Sequence, residues 1–221
     1  MSGPAAPSGD LPSPEFMRTA DGNRLLFLLR PAGASGAVVQ MVAARSGEGT
    51  STLARDLALI AARTPGWRVL LLDLDPPGQR QADWLRARYR PTAAGQAIVS
   101  QRMPGVSADM MVHRLGGHGL HVSELRGAWP AGAVNWTGVL SVLRASFELV
   151  LVDSPALERS FDCVMLAKDV DTSLLVVEAE ATRTAVAQNL RDRILEVGGM
   201  IAGTVLNKRR FHIPAPIYER I

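Results

Sequence analysis

The apolar run Ala37-Val38-Val39-Gln40-Met41-Val42-Ala43 leads into Arg45-Ser46-Gly47-Glu48-Gly49-Thr50-Ser51-Thr52, and then into an amphipathic segment over 51–63. A buried strand, a glycine-bearing loop and a helix in immediate succession leave few ways to fold. The strand enters a sheet, and the helix packs back across it. Gly47 and Gly49 let backbone N–H groups approach an anion with no Cβ in the way. The positive end of the helix dipole points at the same place. The loop departs twice from the phosphate-gripping pattern G-x-x-x-x-G-K-[ST]: Ala44 replaces the first glycine and Thr50 replaces the lysine. Ser51 keeps the position whose hydroxyl meets Mg²⁺ in such loops. Two readings stay open on the loop alone: a phosphate cradle without its ammonium group, and a glycine-rich turn with Ser/Thr caps.

The rest of the chain repeats the opening theme. Apolar runs at 37–43, 68–73, 147–153, 172–178 and 200–206 predict strands, and the segments 51–63, 79–89, 134–145 and 182–197 carry helical periodicity. The strands are near-continuous apolar runs, as expected when both faces of a sheet are covered. The predicted fold is therefore α/β, a doubly wound and mostly parallel sheet with helices on both faces. Gly198-Gly199 is a helix stop before the last strand. Residues 22–30 read as a short helix or strand packed on the domain, and 119–124 as an extra strand after the turn Gly116–Gly119. Residues 91–125 otherwise give no clear pattern. Residues 1–20 read as a disordered tail, rich in Pro and Gly, followed by a single domain over 21–221. Within that tail, Ser13-Pro14-Glu15-Phe16 resembles a cloning-derived junction, which would put a native start at Met17.

Three strand ends carry polar chemistry. Val69-Leu70-Leu71-Leu72 ends in Asp73-Leu74-Asp75, at the carboxyl edge where α/β sheets bind ligands. One of these carboxylates can orient a water or hydroxyl, and both can bear on Mg²⁺ through water. Leu149-Val150-Leu151-Val152 ends in Asp153-Ser154-Pro155, a hydrophobic run closed by a candidate metal-binding aspartate. Gly203-Thr204-Val205-Leu206 ends in Asn207, placed to meet a base edge, and then Lys208-Arg209-Arg210 reads as a solvated or anion-facing run. Against each stands a plainer role in capping or loop solvation.

Composition narrows the classes. A formal charge of +3 gives no reason to expect specific nucleic-acid binding. The single cysteine, Cys163, rules out an intramolecular disulfide and fits a reducing compartment. No stretch is long and apolar enough to span a bilayer, and no signal peptide is visible. His113, His118, His121 and His212 lack partners at metal-ligand spacing. The arginines at 80, 86, 88 and 90 with Trp84 and Tyr89 read as a solvated helix face, and Arg55 and Asp56 as solvent-facing residues of the helix after the loop. Lys168 and Lys208 are the only lysines.

The four pieces in this order resemble the MinD/ParA group of P-loop ATPases. The likeness is strongest to the bacterial tyrosine kinases (BY-kinases) and the CpsD/CapB-like proteins of capsule and exopolysaccharide assembly. It rests on the G-E-G-x-S-T loop at Gly47–Thr52, the D-x-D strand end at Asp73 and Asp75, Asp153-Ser154-Pro155, and the G-x-V-L-N end at Gly203–Asn207. It spans residues 35–215. The resemblance implies ATP or ADP with Mg²⁺ as ligands. Arg45, Gly47, Glu48, Gly49, Thr50, Ser51, Thr52 and Asn207 would hold the nucleotide, with Asn207 on the adenine. Ser51, Asp75 and Asp153 would hold the metal, and Asp73 and Asp75 would serve catalysis. It also implies a cytoplasmic protein, peripheral to the inner membrane, that docks on a polysaccharide co-polymerase and forms homo-oligomers.

The departures from that family bear on activity. Thr50 removes the lysine that contacts the β- and γ-phosphates. Pro76-Pro77 stands where an arginine follows D-x-D, and the tyrosine-rich tail is reduced to Tyr218. Glu15-Phe16-Met17-Arg18 carries only part of the E-x-x-R-x-x-R oligomerisation pattern. Arg45 lies at the position of the MinD/ParA signature lysine. It either supplies the missing charge, in cis or across a dimer, or is an exposed loop arginine. Three functions follow: a weak ATPase or kinase-like regulator, a pseudoenzyme scaffold that binds no nucleotide, and a switch that dimerises on ATP.

Overall fold

The computed structural model describes residues 11–29, 36–75, 80–89, 98–102, 110–115, 118–125 and 135–209. Pro76-Pro77, Arg90, His212 and the segment from Arg210 to Ile221 lie outside the described residues.

In chain order the helices are α1 (Thr19–Leu28), α2 (Thr50–Ala61), α3 (Arg80–Arg88), α4 (Trp136–Ser146), α5 (Asp162–Leu166) and α6 (Thr184–Glu196). The strands are β1 (Ala37–Ala43), β2 (Val69–Asp73), β3 (Ile98–Arg102), β4 (Met110–Leu115), β5 (Leu120–Leu125), β6 (Leu149–Asp153), β7 (Thr172–Glu178) and β8 (Ile201–Asn207). They form one sheet in the order β3-β4-β5-β2-β6-β1-β7-β8. From β5 to β8 every pairing is parallel, while β4 runs antiparallel to both β3 and β5. The α/β expectation is borne out, and the strand anticipated at 119–124 is β5. The region without a clear pattern holds two further strands, β3 and β4. The segment left open near 22–30 is helical in α1.

Each central strand divides its side chains between two layers, as a period of two requires. Val39, Met41 and Ala43 of β1 join Val69 and Leu71 of β2 and Leu149 and Leu151 of β6 under α2 and α3. Val38, Leu70, Leu72, Val150 and Val152 pack with Trp136, Leu140 and Leu143 of α4. Val42, Leu175, Leu190 and Ile194 close the same face beside α5 and α6. Gln40 interrupts the apolar run of β1 with no exposed surface. Its amide donates to Ser154 Oγ at 2.9 Å and to the Cys163 carbonyl at 2.7 Å, and its oxygen accepts from Ser173 Oγ at 2.9 Å. A buried polar group so fully bonded fixes the register of three segments around it.

The helix α2 is buried continuously from Leu53 to Ala61, which requires cover on its outer side. That cover comes from α1 and from the segment preceding it, where Leu11 and Met17 are buried. Asp56 has no exposed surface, and its carboxylate accepts the backbone N–H groups of Glu15 (3.0 Å), Phe16 (2.7 Å) and Met17 (2.8 Å). Arg55 is also buried. It lies 3.9 Å over the Trp84 ring, 3.7 Å from the Glu15 carboxylate, and donates to Gln81 Oε1 at 3.2 Å. Two expectations are corrected here. Arg55 and Asp56 do not face solvent, and residues 11–18 are a strap anchored by Asp56, with Leu11 and Met17 buried, rather than tail. The cause is a chain segment brought over α2 from more than thirty residues upstream. Trp84 also stacks under Arg88 at 4.2 Å, and Tyr89 is buried, so α3 turns its aromatics inward.

Asp56→Ala should detach the strap. Removing one charged acceptor that serves three donors is expected to cost about 2 kcal/mol. That lowers the melting temperature by roughly 4–8 °C in a chain of this size, and it accelerates amide exchange at residues 15–17. An unchanged melting temperature would show that the strap adds nothing to stability.

Candidate functional site: a glycine-loop cleft over a buried carboxylate pair

The loop between β1 and α2 lies at the carboxyl end of the sheet, as its sequence context predicts. Gly47 and Gly49 adopt φ of +86° and +98°, values that favour glycine. Gly49 is the residue that starts α2, and its carbonyl accepts from Leu53 N–H at 3.0 Å. The loop opens onto a cleft of about 540 Å³. Arg45, Gly47, Gly49, Thr50, Ser51 and Thr52 line it together with Asp75.

Glu48 belongs to the loop but turns away from the cleft. Its side chain is buried. The carboxylate accepts from the backbone N–H of Arg45 (2.8 Å) and of Glu178 (3.2 Å), and from the Thr182 hydroxyl. Glu48 thus ties the loop to the end of β7. From outside, Glu158 accepts from Ser46 N–H at 2.6 Å and sits 4.0 Å from the Arg45 guanidinium. Arg45 is more than half exposed at the mouth of the cleft. Asn207, at the end of β8, donates to the Glu48 carbonyl at 2.8 Å. That places its amide behind the loop, against Gly49. A Cβ on Gly49 would sit 2.1 Å from Asn207 Nδ2.

Beneath the cleft, β2 and β6 pair in register so that Asp73 and Asp153 are opposite one another. Both are buried. Ser51 Oγ donates to Asp153 Oδ1 at 3.1 Å. Gln81 of α3, itself fully buried, donates to Asp153 Oδ2 and to the Ser51 carbonyl, each at 2.7 Å. The Gln81 backbone N–H donates to Asp73 Oδ2 at 3.2 Å. Burial, and then the charges of Asp73 and Asp75, push the Asp153 carboxyl up to about 7 despite the bonds from Gln81 and Ser51. Arg159 Nη1 lies 2.6 Å from Asp75 Oδ1.

The structure therefore brings Arg45, Gly47, Gly49, Thr50, Ser51, Thr52 and Asp75 to one cleft, with Asp73 and Asp153 under it. Glu48 and Asn207 support the loop from behind. Gln81 and Arg159 carry no mark in the sequence, and Lys208 stands there only as part of a solvated or anion-facing run. Gln81 is separated by 30 and 72 residues from the groups it joins, so no local pattern could mark it.

The donor set suits a small hard cation. A hydroxyl and carboxylates, one of them raised by burial and then by the charge of its neighbours, form a site of oxygen donors. Among the described residues no group of three His, Cys, Asp or Glu is arranged to hold a metal by itself.

No protein-family model matches the chain. Over 209 residues it is 22% identical to the tyrosine-protein kinase CpsD of Streptococcus pneumoniae, covering 88% of this chain and 86% of that one. Among solved structures, the VpsO kinase domain superposes with a TM-score of 0.66 at 24% identity, over 87% of this chain and 95% of the other. The septum site-determining protein MinD of Pyrococcus horikoshii, solved with Mg-ADP, superposes with a TM-score of 0.56 at 16% identity, over 84% and 76%. These likenesses show a MinD/ParA-type P-loop fold and match the resemblance to BY-kinases carried by the sequence motifs.

Proposed function

We propose that the chain is a BY-kinase-like, nucleotide-binding regulator of exopolysaccharide synthesis or export. It takes Mg-ATP or Mg-ADP in the cleft over the loop. The observation that carries this reading is the Ser51–Asp153–Gln81 network directly under a loop whose two glycines are left-handed. Backbone N–H groups of the loop and the start of α2 hold the phosphates. The hydroxyl of Ser51, with Asp75 and Asp153, holds Mg²⁺, whose chemistry when bound is to neutralise phosphate charge. Asp73 keeps Gln81 in place through its backbone. With Thr50 in the lysine position, ATP hydrolysis is weak or absent. The missing charge-assisted hydrogen bond costs about 1.5–3 kcal/mol of affinity, and a missing donor to developing charge costs roughly 10²–10³ in rate. The protein acts in the cytoplasm, at the inner membrane, docked on a polysaccharide co-polymerase and as a homo-oligomer. No helix among the described residues is long and apolar enough to cross a membrane, so membrane association on this reading runs through a partner.

Thr50 favours a second reading, a scaffold of the same fold that binds no nucleotide. Calorimetric titration of ATP with Mg²⁺ into the folded protein separates the two. Micromolar binding supports the nucleotide-dependent regulator. No heat up to millimolar ATP leaves the scaffold.

A further inference from the structure

Position 50 lacks an ammonium group, yet one lies at the loop. Lys208, the residue after β8, lines the same cleft as Thr50 and Ser51. Its Nζ donates to the Gly47 carbonyl at 2.6 Å and to Glu178 Oε2 at 3.0 Å. It is one of two lysines in the chain, and the other, Lys168, does not line the cleft. The backbone at Lys208 is left-handed, with φ of +55°. A lysine held in that region is uncommon and persists only where its surroundings demand it. The demand is visible in consecutive bonds: Asn207 donates to the Glu48 carbonyl and Lys208 to the Gly47 carbonyl.

We propose that Lys208 supplies, from the end of β8, the phosphate-binding charge that Thr50 lacks. An ammonium group has three donors. Two are engaged by Gly47 and Glu178, and the third is available to a phosphate oxygen entering the cleft. The two arginines at the cleft are also paired with carboxylates, Arg159 with Asp75 at 2.6 Å and Arg45 with Glu158 at 4.0 Å. Lys208 is bonded to the loop backbone itself, through the Gly47 carbonyl. The ligand class is a nucleoside di- or triphosphate, so the inference rests on the nucleotide reading above and assigns its missing cation.

The test is calorimetric titration of ATP and of AMP, with Mg²⁺, into the wild type, Lys208→Met, Thr50→Lys and the double variant. Lys208→Met is expected to weaken ATP by about 10- to 100-fold, the range of a charge-assisted hydrogen bond. AMP, which lacks the outer phosphates, changes little, and adding Thr50→Lys restores ATP affinity. Unchanged ATP binding by Lys208→Met overturns the proposal. So does an equal loss for ATP and AMP that Thr50→Lys fails to restore, which would mark Lys208 as a tie for loop shape only. A wild type that binds nothing beside a Thr50→Lys variant that binds ATP also overturns it, while leaving the cleft a nucleotide site. If neither binds, the nucleotide reading falls and this proposal falls with it. Should Lys208→Met lower the melting temperature enough to blur the comparison, Glu178→Gln answers the same question. Freeing the ammonium from its carboxylate raises ATP affinity several-fold if the charge acts on phosphate, and leaves it unchanged if it does not.

Discussion

Gly49→Asp is expected to abolish ATP binding, weakening it by about 100-fold or more, while the protein stays folded. The reason is local. Gly49 has φ of +98°, and a Cβ there would lie 2.1 Å from Asn207 Nδ2. Any side chain must therefore displace Asn207 and break its bond to the Glu48 carbonyl. The aspartate adds a negative charge where phosphate would sit. Disrupting two charge-assisted hydrogen bonds to phosphate at once is enough for a change of that size. The fold survives because an acidic residue at a helix N-terminus is otherwise tolerated. Gly47→Ala is the informative companion. Its φ is +86°, yet a Cβ there meets nothing within 4 Å. It carries only the strain of a left-handed alanine, about 1–2 kcal/mol, so its effect on ATP affinity should be much smaller. Equal ATP binding by wild type and Gly49→Asp would show that the loop is not the nucleotide site.

The parts of the fold that were legible in sequence share one property: their signal is local. The strands β1, β2, β6 and β7 are apolar on both faces because helices cover both, and each is buried along most of its length. A continuous apolar run closed by aspartate announces itself. The antiparallel extension does not. Residues Ser100, Gln101 and Arg102 of β3 and His113 and Arg114 of β4 are polar, and His113 is buried with the Glu124 carboxylate 2.7 Å and Arg86 Nη2 2.9 Å from its Nε2 and Ser100 Oγ 2.7 Å from its Nδ1. Such pairings depend on strands brought together by the fold. Arg55 and Asp56 misled for the same reason, since charged neighbours on a helix normally mark its wet side.

The candidate site divides along the same line. The loop, Asp73, Asp75 and Asp153 were legible because each sits at the end of a recognisable element. Gln81, Arg159 and Lys208 reach the site from other segments. Asn207 was placed at the right strand end, and the structure adds its bond to the loop carbonyl. Glu48, counted with the phosphate-holding residues, clamps the loop through its carboxylate, so only its backbone N–H is left to face a ligand.

The carboxylate pair makes the second large prediction. Asp153 ionises at about 3.8 in the unfolded chain, but burial and then the charge of Asp73 raise it to about 7 in the fold. A carboxyl raised on folding stabilises relative to its ionised form below pH 4, and that stabilisation is lost as pH climbs through 7. Asp153→Asn removes the ionisation but keeps the shape. The amide oxygen accepts from Gln81, and the amide nitrogen donates to Ser51 Oγ. The variant should therefore melt several degrees or more above the wild type at pH 8 without Mg²⁺, and close to it near pH 4. A cation bound to the carboxylate opposes the same penalty, so Mg²⁺ with ATP should raise the wild-type melting temperature most at high pH and move the variant little. A variant no more stable than the wild type at pH 8 would mean that Asp153 carries its charge in the fold at no cost. The raised Asp153 carboxyl would then no longer argue for a metal beneath the loop.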